Sequence, residues 1–128
     1  MISIELDLAR ILSNFPEFKV AILFGSRATG SATPQSDIDL ALLADTPIDS
    51  ARKLQLMETI GAQLGSPVDI VDLYHAAEPI LGQVLKGKRL LGDNASYARL
   101  ITRHVHNVAD FLPLRRRILT ERRDAWIH

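Results

Sequence analysis

Residues 37–44, DIDLALLA, limit what this chain can fold into more than any other stretch. The run is apolar, short and preceded by a loop rich in Gly, Ser and Thr, so it reads as a buried strand. On a strand, residues two apart share a face. Asp37 and Asp39 then stand side by side, while Ile38, Leu40 and Leu42 point into a core. Two carboxylates so close repel, and one would stay protonated unless a cation meets them. A divalent ion such as Mg²⁺ removes the conflict, because it takes one or two carboxylates together with substrate phosphates. The simpler account of an isolated Asp-x-Asp is a strand entrance, with Asp37 capping a turn and Asp39 in solvent.

The flanking segments supply the rest of an α+β (mixed α/β) fold, a small mixed sheet flanked by helices. SIELDLARILSNF spaces Ile4, Leu8, Ile11, Leu12 and Phe15 as a helix does, with Ser3 as its cap and Pro16 as its end. KVAILF, 19–24, is a second buried strand, and VDIVDLY, 68–74, a third. Asp49 or Ser50 caps a helix through Leu64, with Ala51, Leu54, Met57 (or Glu58) and Ile60 near one side. GSP at 65–67 stops it. EPILGQVLKG predicts a helix with Pro79 in its first turn, and KRLLG a short fourth strand. From Asn94, the residues Leu100, Ile101, Val105, Val108 and Leu112 mark a long amphipathic helix, which Pro113 breaks or kinks.

At 128 residues the chain fits one domain, 1–128, with a catalytic core over about 19–92 and a helical segment over 94–128. It has no cysteine, which excludes disulfides and thiolate metal sites. No apolar run approaches the roughly 18–20 residues of a membrane helix. The opening MISIELDLAR carries acids where a signal peptide needs a basic stretch, so a cytoplasmic protein is expected. The net charge is zero but unevenly spread: residues 1–96 are acidic and 97–128 basic, with Arg115, Arg116 and Arg117 in the tail. Such a tail can meet nucleic acid or an acidic partner; a solvated helix face is the plainer reading. Trp126 could anchor a partner there. His104 and His106 are two apart on a helix, so they cannot share a metal on one face. His104 lies near the Ile101–Val105–Val108 face, and His75 and Tyr97 carry no pattern of their own.

The loop GSRATGSATPQS sharpens the reading of the acidic pair. Gly25 follows a buried strand and would admit a bulky anion to the backbone, Ser26 adds a hydroxyl, and Arg27 adds charge. One helical turn after Gly25 would aim free N–H groups at the same anion. GSRATGSA also approaches the P-loop pattern, but Ser31 and Ala32 replace its Lys and Ser/Thr. A P-loop opens a long helix, and this loop runs into TPQS and a strand, so that reading fails.

Gly25-Ser26, ten residues, then Asp37-Ile38-Asp39 resembles the signature of the DNA polymerase β-like nucleotidyltransferase superfamily. The wording of the stretch is similar to the minimal nucleotidyltransferases of bacteria and archaea. The resemblance covers roughly residues 19–92. It implies transfer of a nucleoside monophosphate from a triphosphate to an acceptor, usually a hydroxyl. It also implies that Gly25, Ser26, Arg27 and Ser36 hold the nucleotide, and that the Asp pair binds two Mg²⁺ ions. A third carboxylate on a later strand completes the family's metal site. PVDIVDLY offers Asp69 and Asp72, which face opposite sides of a strand, so only one can join the pair. The family's placement, inside the strand after its first apolar residue, matches Asp69.

Few residues remain for an acceptor-binding domain. Stand-alone members of this size resemble the antitoxins of HEPN/MNT (type VII-like) toxin–antitoxin pairs. That likeness implies transfer of AMP from ATP to a tyrosine of a HEPN-family ribonuclease toxin. A non-catalytic antitoxin that masks its toxin, and a small-molecule nucleotidyltransferase, are the other readings. Intact Gly25, Ser26, Asp37, Asp39 and Asp69 speak against the first, and the lack of an extra helical domain against the second.

Overall fold

The computed structural model describes residues 4–29 and 37–109. Ser3, Ser36, Leu112, Pro113, Arg115, Arg116, Arg117 and Trp126 lie outside the described residues. In chain order the elements are α1 (Ile4–Leu12), β1 (Phe18–Phe24), α2 (Ser26–Thr29), β2 (Ile38–Ala44), α3 (Ser50–Leu64), β3 (Val68–Asp72), α4 (Ile80–Leu85) and β4 (Lys88–Gly92). A further helix, α5, runs over residues 94–109.

The strands form one sheet in the order β3-β2-β1-β4. β1 pairs antiparallel with β2 and β4, and β2 pairs parallel with β3. A parallel pair needs a crossover, and α3 supplies it. The central strands are apolar almost without interruption because helices cover both faces. On one face, Ala21, Leu23, Ile38, Leu40, Leu42, Val68 and Ile70 pack with Leu8, Ile11 and Leu12 of α1 and with Leu56 and Ile60 of α3. On the other, Val20, Ile22 and Ala41 pack with Leu73, with Leu81 and Val84 of α4, and with Leu100 of α5. Each such fully buried Leu or Ile stabilises the fold by about 1.5–3 kcal/mol relative to exposure.

The caps follow the local chemistry. The Asp49 side chain accepts from Arg52 N at 2.7 Å and so opens α3. Gly65 closes it at φ 67°, with its N–H donating to Gly61 O at 2.8 Å. Asp93 does the same work for α5, accepting from Ser96 N at 2.6 Å and Ser96 Oγ at 3.1 Å. α1 ends at Leu12, before Pro16, in a tightened turn where Asn14 N bonds Ile11 O and Phe15 N bonds Leu12 O. β3 stops at Asp72, short of Tyr74, because Asp72 Oδ1 accepts from Tyr74 N at 3.0 Å and turns the chain.

Two helix faces differ from the sequence reading. In α3 the buried residues are Leu56 and Ile60, whereas Leu54 is 56% exposed. The sheet takes the i, i+4 ridge through 56 and 60, and Leu54 lies well round the helix from it. Among the described residues of the apolar row expected in α5, only Leu100 is buried; Ile101, Val105 and Val108 are exposed. The ridge that meets the sheet instead runs through Ser96 and Leu100. On the flank toward α4, His104 Nδ1 lies 2.6 Å from Glu78 Oε1.

Candidate active site

The hairpin register of β1 and β2 sets the site. Phe24, the last residue of β1, pairs with Asp39, so Gly25 is carried directly to the Asp39 side chain. Gly25 has φ 74°, and a Cβ there would collide with Asp39 Oδ2. Only glycine fits both the positive φ and this close approach. In the structure the group lying against the Gly25 Cα is the Asp39 carboxylate. Ser26 and Arg27 follow as the first residues of α2, a single turn in which Ala28 N donates to Gly25 O at 3.1 Å.

On the other side, β2 and β3 run parallel with Asp39 directly opposite Asp69. Paired positions project to the same side of a sheet, so the two carboxylates share a face. That face is the one bearing Ala41 and Val71, the α4–α5 side. Ile38 and Leu40 are fully buried on the reverse. Asp37 is exposed at the mouth of β2. Asp39 is half-buried, and its carboxyl is pushed above the usual carboxylate range, first by burial and then by the charges of Asp69 and Asp37. That direction is the electrostatic signature of an acidic cluster.

Asp72 has a different job. It faces the opposite side of the sheet, where its Oδ2 accepts from Ile48 N at 2.9 Å while Oδ1 holds Tyr74 N. Both oxygens are therefore engaged by backbone in the loops on either side of α3 and β3. The structure thus brings Gly25, Asp37, Asp39 and Asp69 to one end of the sheet, with Ser26 and Arg27 next in the chain.

The donor set suits a hard cation, being all carboxylate oxygen. Among the described residues, no three His, Cys, Asp or Glu side chains already stand as a metal-holding group. Two carboxylates with room for substrate oxygens are the kind of ligand set that Mg²⁺ takes. Among the described residues, no helix is long and apolar enough to cross a membrane.

At the far end of the same face lies a group that motif spacing does not reveal. Lys19, Leu43, Asp45, Tyr74, Arg99 and Arg103 are among the residues lining a cavity of about 410 Å³, with Leu100 at its wall. The available signal was the i, i+4 pair Arg99 and Arg103 on a helix whose residues 94–109 contain no acid.

Comparison with known proteins agrees with this geometry. Residues 7–96 match the family model described as polymerase beta, nucleotidyltransferase. The chain is 38% identical over 80 residues to the protein adenylyltransferase MntA of Shewanella oneidensis, a match spanning 62% of this chain and 58% of that relative's length. A solved toxin–antitoxin structure with AMP-PNP superposes with a TM-score of 0.75 at 28% identity, covering 96% of this chain and 98% of that one. A second, of the tri-AMPylated Shewanella oneidensis HEPN toxin in complex with MNT antitoxin, gives a TM-score of 0.67 at 27% identity and 95% coverage of each chain. The family model spans the sheet, the second half of α1, α3, α4 and the acidic end together, and the chain belongs to the polymerase beta nucleotidyltransferase family.

Proposed function

We propose that this protein is an antitoxin that transfers AMP from ATP to a tyrosine hydroxyl of a HEPN-family ribonuclease and thereby neutralises it. The observation that carries the reading is the facing of Asp39 and Asp69 across parallel strands, with Asp37 beside them and Gly25–Ser26 at the adjacent strand end. The named relative is a protein adenylyltransferase, and similar solved structures pair such a chain with an AMP-bearing HEPN toxin or an ATP analogue. Those assignments belong to the relatives and come to this chain as support.

In this reading the acceptor phenolate oxygen attacks the α-phosphorus in line. The bond from that phosphorus to the bridging oxygen of the β-phosphate breaks, and pyrophosphate leaves. Asp37 and Asp39 would hold Mg²⁺, which when bound neutralises triphosphate charge and lowers the pKa of the acceptor hydroxyl. Asp69 stands opposite Asp39, where it would complete the carboxylate set and receive the phenol proton. Ser26, with Arg27 beside it, would hold the β- and γ-phosphates, as would Ser36 from the adjoining segment. The fold contributes positioning and charge rather than a covalent step. The unfavourable crowding around Asp39 is relieved when a cation arrives, so cost in the free protein becomes affinity for the metal–nucleotide.

The test co-expresses the chain with its partner and follows label from α-labelled ATP. Label on a partner tyrosine, lost by at least about a hundredfold in the double variant Asp37→Asn with Asp39→Asn, is expected. Undiminished labelling in that variant sinks the catalytic assignment. Toxin neutralisation that survives complete loss of labelling would instead establish masking.

A further inference from the structure

The cavity between the far end of β2 and α5 is chemically the reverse of the acidic end. Leu43 shares a face with Asp39 but lies four residues further along β2, about 13 Å away at strand rise. Between the two, Ala41, Leu81 and Val84 are fully buried, so packed side chains separate them. Two features aim cations into the cavity, and a third crowds them together. First, the pairing of β1 with β2 shifts between Phe18 and Val20, leaving Lys19 as the extra residue of a bulge. Such bulges re-aim a side chain, and Lys19 lines the cavity. Second, Arg103 Nη1 donates to Leu73 O at 2.6 Å and Ala76 O at 3.3 Å. Those carbonyls orient the guanidinium without neutralising it. Third, Arg99 stands one helical turn before Arg103, and like charges at that spacing destabilise a helix.

Charge compensation is incomplete. Asp45, also in the lining, pairs with Lys19, and Asp93 lies within electrostatic reach of Arg99, but among the described residues neither Arg99 nor Arg103 forms a direct ion pair. Two guanidinium groups at the wall of a concave site suit a planar oxyanion, which Arg binds bidentately. A lone carboxylate would leave most of a 410 Å³ space and its apolar wall of Leu43, Tyr74 and Leu100 unfilled. Cavities of roughly 300–1,000 Å³ with apolar walls and few polar groups are the usual size for a whole small ligand.

We propose that this cavity is a second nucleotide site, which binds a nucleoside monophosphate without metal, its phosphate between Arg99 and Arg103 and its base against Tyr74 and Leu100. The site is independent of the transfer reaction and of the acidic end.

Calorimetric titration of the full chain with AMP in EDTA tests it. Saturable binding is expected, weakened about tenfold or more by Arg99→Glu, a substitution at an exposed position that leaves the fold intact. Arg103→Lys keeps the charge but loses the fork and its bonds to Leu73 O and Ala76 O, so it should weaken AMP severalfold and also lower the melting temperature; Arg99→Glu, which has no such bonds, is the variant that isolates binding. Asp37→Asn with Asp39→Asn should retain this binding, since the ligand sits elsewhere. Absence of AMP binding at millimolar concentration overturns the proposal, as does equal affinity in Arg99→Glu or loss of binding in the acidic-end variant. Inorganic phosphate and adenosine should each bind at least about tenfold more weakly than AMP. Phosphate binding as tightly as AMP, or a Glu-rich peptide displacing AMP, overturns the nucleotide assignment in favour of a plain anion or an acidic protein segment.

Discussion

The two faces of the sheet follow different rules. The face under α1 and α3 is apolar along β1 and β2, where Ile38, Leu40 and Leu42 are fully buried, and Asp72 at the end of β3 is held there by backbone N–H groups. The face under α4 and α5 is apolar only in its middle, around Val20, Ile22 and Ala41. Its ends carry charge: Asp37, Asp39 and Asp69 at one, Lys19, Arg99 and Arg103 at the other. One face is a closed core that stabilises the chain. The other gives up burial at both ends and keeps like charges together there. Groups held against their electrostatic preference mark places where a ligand of opposite sign can bind.

Substitutions that cross between these faces break the comparison if it is wrong. The largest effect on stability is expected for Leu40→Ala on the closed face, a loss of about 2–5 kcal/mol in urea unfolding. A loss below about 1 kcal/mol would show that this face is not tightly packed. Next comes Gly25→Ala, where the positive φ and the Asp39 contact together cost about 1–3 kcal/mol. Pairing it with Asp39→Ala, which clears the contact, should recover part of that loss; no recovery would show that Asp39 does not crowd Gly25.

The smallest effect has the opposite sign. Asp39→Asn removes a like charge facing Asp69 and should stabilise the metal-free protein at neutral pH by up to about 1 kcal/mol. The pH dependence follows from the direction of the Asp39 shift. A carboxyl raised in the folded state binds its proton more tightly there than in the unfolded chain. The native protein is therefore least burdened at acid pH, and stability falls as pH rises from the ordinary Asp value through the raised folded value. The advantage of Asp39→Asn should appear over that window and persist above it, and it should disappear in acid. A variant that is less stable than the parent at pH 7 would mean that Asp39 is held by a favourable partner.

Much of the fold was legible because strand and helix signals are local. KVAILF, DIDLALLA and KRLLG became β1, β2 and β4 within a residue or two, and Asp49 and Gly65 bound α3 where cap chemistry demands. The helix faces were less legible. Leu54 and Leu56 are equally apolar, and Ile101, Val105 and Val108 share a helical spacing, so periodicity alone cannot say which ridge meets the sheet. That choice depends on how far each helix is rolled when it packs.

The site divides in the same way. Local sequence is enough to put Asp37 and Asp39 on one side and Gly25 and Ser26 just after a buried strand, since period-two alternation and glycine's freedom at positive φ are properties of the local chain. Tertiary structure decided the rest. Strand register set Asp39 against Gly25 and opposite Asp69, and a turn engaged Asp72 elsewhere. The packing of α5 brought Arg99 and Arg103 to Lys19, eighty or more residues away in the chain. Contacts between residues so distant in sequence depend on register and helix roll, which are settled only when the two cores close.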